Sequence, residues 1–202
     1  MGELTQNSLP TKERIFHAAA RMFAEHGYDN VSMRDLASAV GIKNPSIYNH
    51  FASKKEILRE LYAFFHYHRK RLLPDLNEAI EEANADPPLK ILMEMVFSFD
   101  PGIEETMHSI LAIAARQIST DAESRQFIIE NILSAPKEQT RPVLEKLVEL
   151  KRIQPMDLDA FCNLVMHYLF GAVALVATPL RMDSDAWKKG LAFIYSTFIK
   201  PI

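Results

Sequence analysis

Met33-Arg34-Asp35-Leu36-Ala37-Ser38-Ala39-Val40-Gly41-Ile42-Lys43-Asn44-Pro45-Ser46-Ile47-Tyr48-Asn49-His50-Phe51-Ala52 is the stretch whose reading decides the fold. Two short helical patterns meet in it. Ala37 supplies the small residue needed where two helices touch. Four positions on, Gly41 supplies a residue that tolerates positive φ in the turn. Ile42 and Ile47 then fill the angle between the helices, with Leu36 and Val40 beneath them. Pro45 stands where a first helical turn accepts a residue without an N–H. This is the spacing of a helix-turn-helix, a unit that presents its second helix to the DNA major groove.

The flanks extend the helical pattern. Upstream of the unit, Ile15, Ala18, Ala19, Met22 and Phe23 recur at helical spacing from Pro10-Thr11 onward, and Gly27 is expected to end that helix as a left-handed cap. Ser32, with Asp35 three residues on, is expected to cap the next helix. Downstream, Ser53-Lys54-Lys55-Glu56 is a capping box opening a longer helix through Ile57, Leu58, Leu61, Tyr62 and Phe65, which Pro74 interrupts. Residues 1–9 read as a polar tail. Beyond residue 80 the periodicity predicts helices over about 88–99, 103–118, 121–152, 157–178 and 184–199, the third disturbed at Pro136 and Pro142. No strand pattern and no internal repeat appears. The expected fold is all-α with about nine helices: an N-terminal three-helix DNA-binding domain over 1–53 and a larger helical body over 54–202.

Composition agrees and excludes other classes. Of 202 residues 48% are hydrophobic and only six are glycine, so a helical core is expected rather than disorder or a strand-rich fold. A single cysteine, Cys162, leaves neither an internal disulfide nor a cysteine-based zinc cluster. The N-terminal residues carry no secretory pattern, and a cytoplasmic protein is expected. The net charge of −3 conceals a split. Residues 1–55 hold seven Lys/Arg against five Asp/Glu, and residues 56–202 hold sixteen against twenty-one, so the basic end is the helix-turn-helix end. There is no nucleophile elbow, no His-Glu-x-x-His run and no glycine-rich phosphate loop. His66 and His68, two apart, do not share a helix face. No catalytic residue, metal or cofactor is therefore expected, and the chain does not read as an enzyme.

His26-Gly27-Tyr28 before the unit, and Ser46-Ile47-Tyr48-Asn49-His50-Phe51 followed by Ser53-Lys54-Lys55-Glu56-Ile57-Leu58 after it, complete a pattern that resembles the TetR family of regulators over residues 11–60. Past residue 60 the resemblance rests on length and helical character. It implies a set of DNA-facing residues. Asn44 has an amide suited to adenine, and Pro45 can meet a thymine methyl. Ser46 and Tyr48 bear hydroxyls for phosphate or base, and Arg34 holds a position that reaches the groove. Lys43 and Lys54 are candidates for phosphate, the latter beside the free N–H groups of a helix start. His50 is a packing or phosphate residue, and Phe51 is expected in the core. Asn49 departs from the pattern, since many relatives carry an aromatic there.

Between Asp159 and Arg181 no residue is charged, a length close to the ~20 residues of a membrane span. A spanning helix is nevertheless not expected. Asn163, His167, Gly171, Ala174 and Thr178 form a polar or small stripe that allows close helix contact, and Pro179 ends the run. The resemblance implies that this helix and the last one, with Trp187, Leu191, Phe193, Ile194 and Phe198, pair with their symmetry mates in a dimer. It also implies a ligand cavity among the helices after the fourth, which makes 54–202 a ligand-binding and dimerisation domain. Expected wall residues are Phe65, Met93, Phe97, Met107, Leu111, Met166 and Phe170, since Met and Phe suit an adaptable apolar pocket. Arg116 and His167 are expected polar contacts, as is His108. The implied partners are double-stranded operator DNA, a second copy of the chain and a small, largely hydrophobic effector. The alternatives are a DNA-binding regulator without an effector and a redox sensor using Cys162, although its apolar surroundings disfavour a thiolate.

Overall fold

The computed structural model describes residues 9–72, 81, 102–176, 184–200 and 202. Its elements are α1 (Thr11–His26), α2 (Met33–Ala39), α3 (Asn44–Ile47), α4 (Lys54–Leu72), α5 (Glu104–Gln117), α6 (Ala122–Ile128), a π-helical turn (Ile129–Ser134), α7 (Ala135–Glu149), α8 (Leu158–Val176) and α9 (Ser184–Phe198). The fold is all-α, with no strand among the described residues.

Local chemistry sets the N-terminal boundaries. Ser32 Oγ accepts the Asp35 amide at 3.2 Å and the Asp35 carboxylate accepts the Ser32 amide at 2.8 Å, a reciprocal capping box that starts α2. At α4 only half of the expected box forms. The Glu56 amide donates to Ser53 Oγ, but the Glu56 carboxylate accepts from the Ala52 amide at 2.6 Å, one residue earlier than predicted. Gly27 has φ 87° and ψ 141°, so it takes the positive φ expected of it outside the left-handed helical region. Gly41, at φ 72°, makes the turn between α2 and α3.

The long helix expected over residues 121–152 is divided. It becomes α6, a turn of π-helix and α7, with Pro136 in the first turn of α7 and Pro142 inside it. A proline can donate no hydrogen bond to the preceding turn, and the wider π-turn lies immediately before the first of the two. The predicted helix at 88–99, the interruption at Pro74 and the wall candidates Met93 and Phe97 lie outside the described residues.

Two apolar clusters hold the structure together. One contains Ile15, Phe23, Leu36 and Ile47 of the first three helices and continues through Leu61, Phe65, Met107, Ile110, Phe127 and Ile132 to Val173 of α8. The other joins α7, α8 and α9 through Val143, Leu144, Leu147, Phe161, Val165, Leu169, Leu191 and Tyr195. The first cluster crosses the position between residues 53 and 54. The helix-turn-helix therefore shares its core with α5 and α6, and displacement of either is felt in the other.

Candidate nucleic-acid interface

Helix α3 is one turn long, and its two sides differ sharply. Ile47 is fully buried, and Phe51, just beyond the helix, is 1% exposed; together with Leu36, Ala37 and Val40 they anchor the turn from below. Lys43, Asn44, Pro45 and Asn49 are exposed on the other side, and Tyr48 is 52% exposed. Ser46 and His50 are half-buried, and Arg34 projects from α2 into solvent. A large aromatic left in water at the tip of a short helix, with an amide four residues before it, is suited to stacking and hydrogen bonding against a groove floor.

Lys54 is placed differently from its neighbours. Its ammonium donates to the Tyr28 carbonyl at 2.6 Å and lies 4.3 Å from the centre of the Tyr28 ring. It ties the loop between α1 and α2 to the start of α4, a role that residue type and position did not announce.

The first four helices are bound to α5 and α6 by polar contacts that sequence reasoning missed, because they join residues far apart in the chain. Arg116 donates to the Ala24 carbonyl near the end of α1, and Gln117 Nε2 to Asp29 Oδ2 at 3.3 Å. Lys55 pairs with Asp121 at 2.5 Å, and Arg59 grips Glu123 with contacts of 2.7 to 3.2 Å. Tyr62 and Ser124 share a buried hydroxyl–hydroxyl hydrogen bond of 2.8 Å. Burial alone would push the Asp121 carboxyl up. The hydrogen bonds from Lys55 and Ser124 overcome this and hold it at about 2.

Among the described residues, the expected wall residues are not gathered in one place. Phe65, Met107 and Leu111 are buried in the first cluster, and Met166 is half-buried on α8. Phe170 and His167 are exposed, the latter with Nδ1 2.6 Å from the Asn163 carbonyl. Arg116, expected inside a pocket, is exposed and turned toward α1. Its place near the C-terminal end of α5 brings it to the helix-turn-helix rather than to the interior. Cys162 is buried, and burial pushes its thiol pKa up, which opposes the thiolate a redox sensor needs.

Along α8 the residues Phe161, Val165, Leu169 and Ala172 are buried, whereas Asn163, Leu164, His167, Phe170, Gly171, Ala174 and Leu175 form an exposed face. On α9, Phe193 and Phe198 are 69% and 49% exposed. By length and composition, Leu158–Leu175 could cross a membrane.

With this geometry in place, similarity to known proteins is informative. Residues 15–61 match the model for bacterial regulatory proteins of the tetR family. Over 90 residues the chain is 31% identical to IcaR of Staphylococcus aureus strain Newman, a negative regulator of the biofilm operon icaADBC; the match covers 44% of this chain and 47% of IcaR. Over 51 residues it is 45% identical to the transcriptional repressor KstR2 of Mycobacterium tuberculosis strain CDC 1551 / Oshkosh, covering 25% of this chain and 26% of KstR2. The matched part thus spans about half or less of these relatives. Across the whole chain, the crystal structure of PfmR, a TetR family regulator from Thermus thermophilus, superposes with a TM-score of 0.61 at 25% identity, covering 92% of this chain and 96% of PfmR.

Proposed function

Residues 15–61 make this chain a member of the tetR family of bacterial regulatory proteins, and on that premise we propose that it is a dimeric transcriptional repressor, not an enzyme, which a small molecule releases from its operator. The observation that carries the reading is the exposure of Asn44, Pro45, Tyr48 and Asn49 on a helix whose opposite side, Ile47, is locked into the core. Asn44 and Tyr48 are assigned to base edges, Lys43 and Arg34 to phosphate or groove contact. Lys54 acts mainly by holding the α1–α2 loop, with any phosphate contact secondary. Repression is the sign supported by IcaR and KstR2, both named as negative regulators.

The apolar faces of α8 and α9 support the dimer. Leu164, Phe170, Leu175, Phe193 and Phe198 are exposed, and apolar residues grouped on a helix face in this way are suited to covering by a protein partner. Asn163, His167, Gly171 and Ala174 lie on the same face, and a second copy can approach Gly171 closely because nothing stands within 4 Å of the place a Cβ would occupy. A lipid surface would also cover apolar residues, but it would leave the Asn163 and His167 polar groups facing hydrocarbon. Two reading heads one DNA turn apart, ~34 Å, then meet the halves of a pseudo-palindrome. An effector bound in the larger domain, acting through α5 and α6, needs only ~1–3 kcal/mol of coupling to release them.

The test is a gel shift of the pure protein on the DNA upstream of its own gene. Binding is expected to weaken by ~10³–10⁵ between 50 and 200 mM salt if the dimer neutralises ~6–10 phosphates. A salt-independent response, or no shift on any genomic fragment, overturns the reading.

A further inference from the structure

The cations on one face of α4 are treated unequally. Near its start Lys55 meets Asp121 and Arg59 meets Glu123, both at partly exposed positions where a counter-charge is least needed. The face continues through Tyr62 and Phe65, which pack on Phe127 with ring centroids 4.4 and 5.0 Å apart. It ends at Arg69, only 8% exposed. Its guanidinium donates to the Asn131 carbonyl and, at 3.1 Å, to Gln139 Oε1. Both acceptors are neutral. Among the described residues no carboxylate pairs with it, although a buried arginine without an anion is costly.

The surroundings hold this guanidinium in place. Asn131 belongs to the π-helical turn, a local widening that recurs at functional sites. The Asn131 side-chain Nδ2 donates in turn to the Phe127 carbonyl at 3.0 Å, which ties the residue to the end of α6. Two of the guanidinium's five N–H groups are accounted for by these acceptors, leaving others for a planar oxyanion. Burial lowers the Arg69 pKa to about 10, which still leaves it charged at neutral pH.

We infer that Arg69 is the anchor of an acidic effector, an organic carboxylate with an apolar body. One arginine balances one negative charge, so a monoanionic carboxylate suits the site better than a doubly charged phosphate. This deepens the effector reading above and rests on it. The polar effector contact expected of Arg116 passes to Arg69.

The test is thermal unfolding of the full chain at pH 7 with acetate, benzoate and octanoate, with their uncharged counterparts acetamide, benzamide and octanol, and with inorganic phosphate. At least one carboxylate is expected to raise the Tm saturably, its uncharged counterpart and phosphate having no effect. Arg69→Met abolishes the shift, and Arg69→Lys, which keeps the charge but not the fork, weakens apparent affinity tenfold or more. Without ligand, Arg69→Met is expected to melt below the wild type, because the Asn131 carbonyl and Gln139 Oε1 lose their donor. The inference is overturned if no carboxylate shifts the Tm, if phosphate alone does so, if Arg69→Met keeps the full shift, or if Arg69→Lys binds the carboxylate as tightly as the wild type. Binding to DNA is read separately. A chain that binds operator yet ignores every carboxylate sinks this inference alone, whereas a carboxylate shift lost in Arg69→Met without any DNA binding sinks the regulator reading alone.

Discussion

Tyr48 and Phe51 are three residues apart and go opposite ways, one half in water and the other 1% exposed. Composition treats them alike; their register around the end of α3 separates them. On the proposed interface, Asn44→Ala is expected to weaken operator binding by ~1–3 kcal/mol and relax preference at one base pair, as read by fluorescence anisotropy on single-substituted operators. Tyr48→Ala should weaken binding as well, while changing stability by no more than about 0.5 kcal/mol, because its ring is not part of the core. Lys43→Ala should lower affinity for all sequences and reduce the salt slope by about 1. Asp121 gives a pH prediction. Its carboxyl is held at about 2 in the folded chain against 3.8 ordinarily. The stability from its contacts with Lys55 and Ser124 is therefore fully present above about pH 4 and is lost as the pH falls through 2. Asp121→Asn should flatten the wild-type fall in Tm over that acid window; an unchanged acid limb refutes the assignment.

At the scale of elements, short helices depend on their ends. The seven-residue α2 is started by a complete capping box, so Ser32→Ala should cost ~1 kcal/mol in chemical denaturation, with the loss falling on the helix-turn-helix. Packing between long helices depends instead on size. A Cβ at Gly190 of α9 would come 2.0 Å from the Tyr168 hydroxyl and 2.8 Å from its ring carbon. Gly190→Ala should therefore push Tyr168 aside and destabilise the α8–α9 pair by ~1–3 kcal/mol, measurable as a lowered denaturation midpoint. The periodicity located α1 and α8 to within a few residues, since one apolar stripe persists over several turns. It did not foresee the π-turn between α6 and α7. The apolar pattern runs on through Phe127, Ile128 and Ile132, and only the hydrogen-bond step changes from four to five residues.

For the whole molecule, the first apolar cluster makes the reading head and α5–α6 a single packed body, and α8–α9 carry the face assigned to the second copy. Phe193→Glu, a change at a 69% exposed position, should leave the fold of the protomer intact. It should also halve the mass measured by light scattering and weaken operator binding steeply, since both half-sites are then no longer engaged together. A variant that remains dimeric and binds DNA normally would remove α9 from the interface.

The chain's own order of residues determined the helix-turn-helix. Ala37, Gly41, Ile42, Ile47 and Phe51 act within about twenty positions of one another, and steric fit over so short a span is written in local spacing. The buried or exposed fate of Arg69 and Arg116, the grip of Lys54 on the Tyr28 carbonyl and the Lys55–Asp121 pair were decided only by the tertiary structure. Each joins groups separated by 26 to 92 positions, or depends on what surrounds a charge. Whether a cation meets water, a carbonyl or a carboxylate is settled when distant helices pack, because desolvation is a property of the assembled environment and not of the residue.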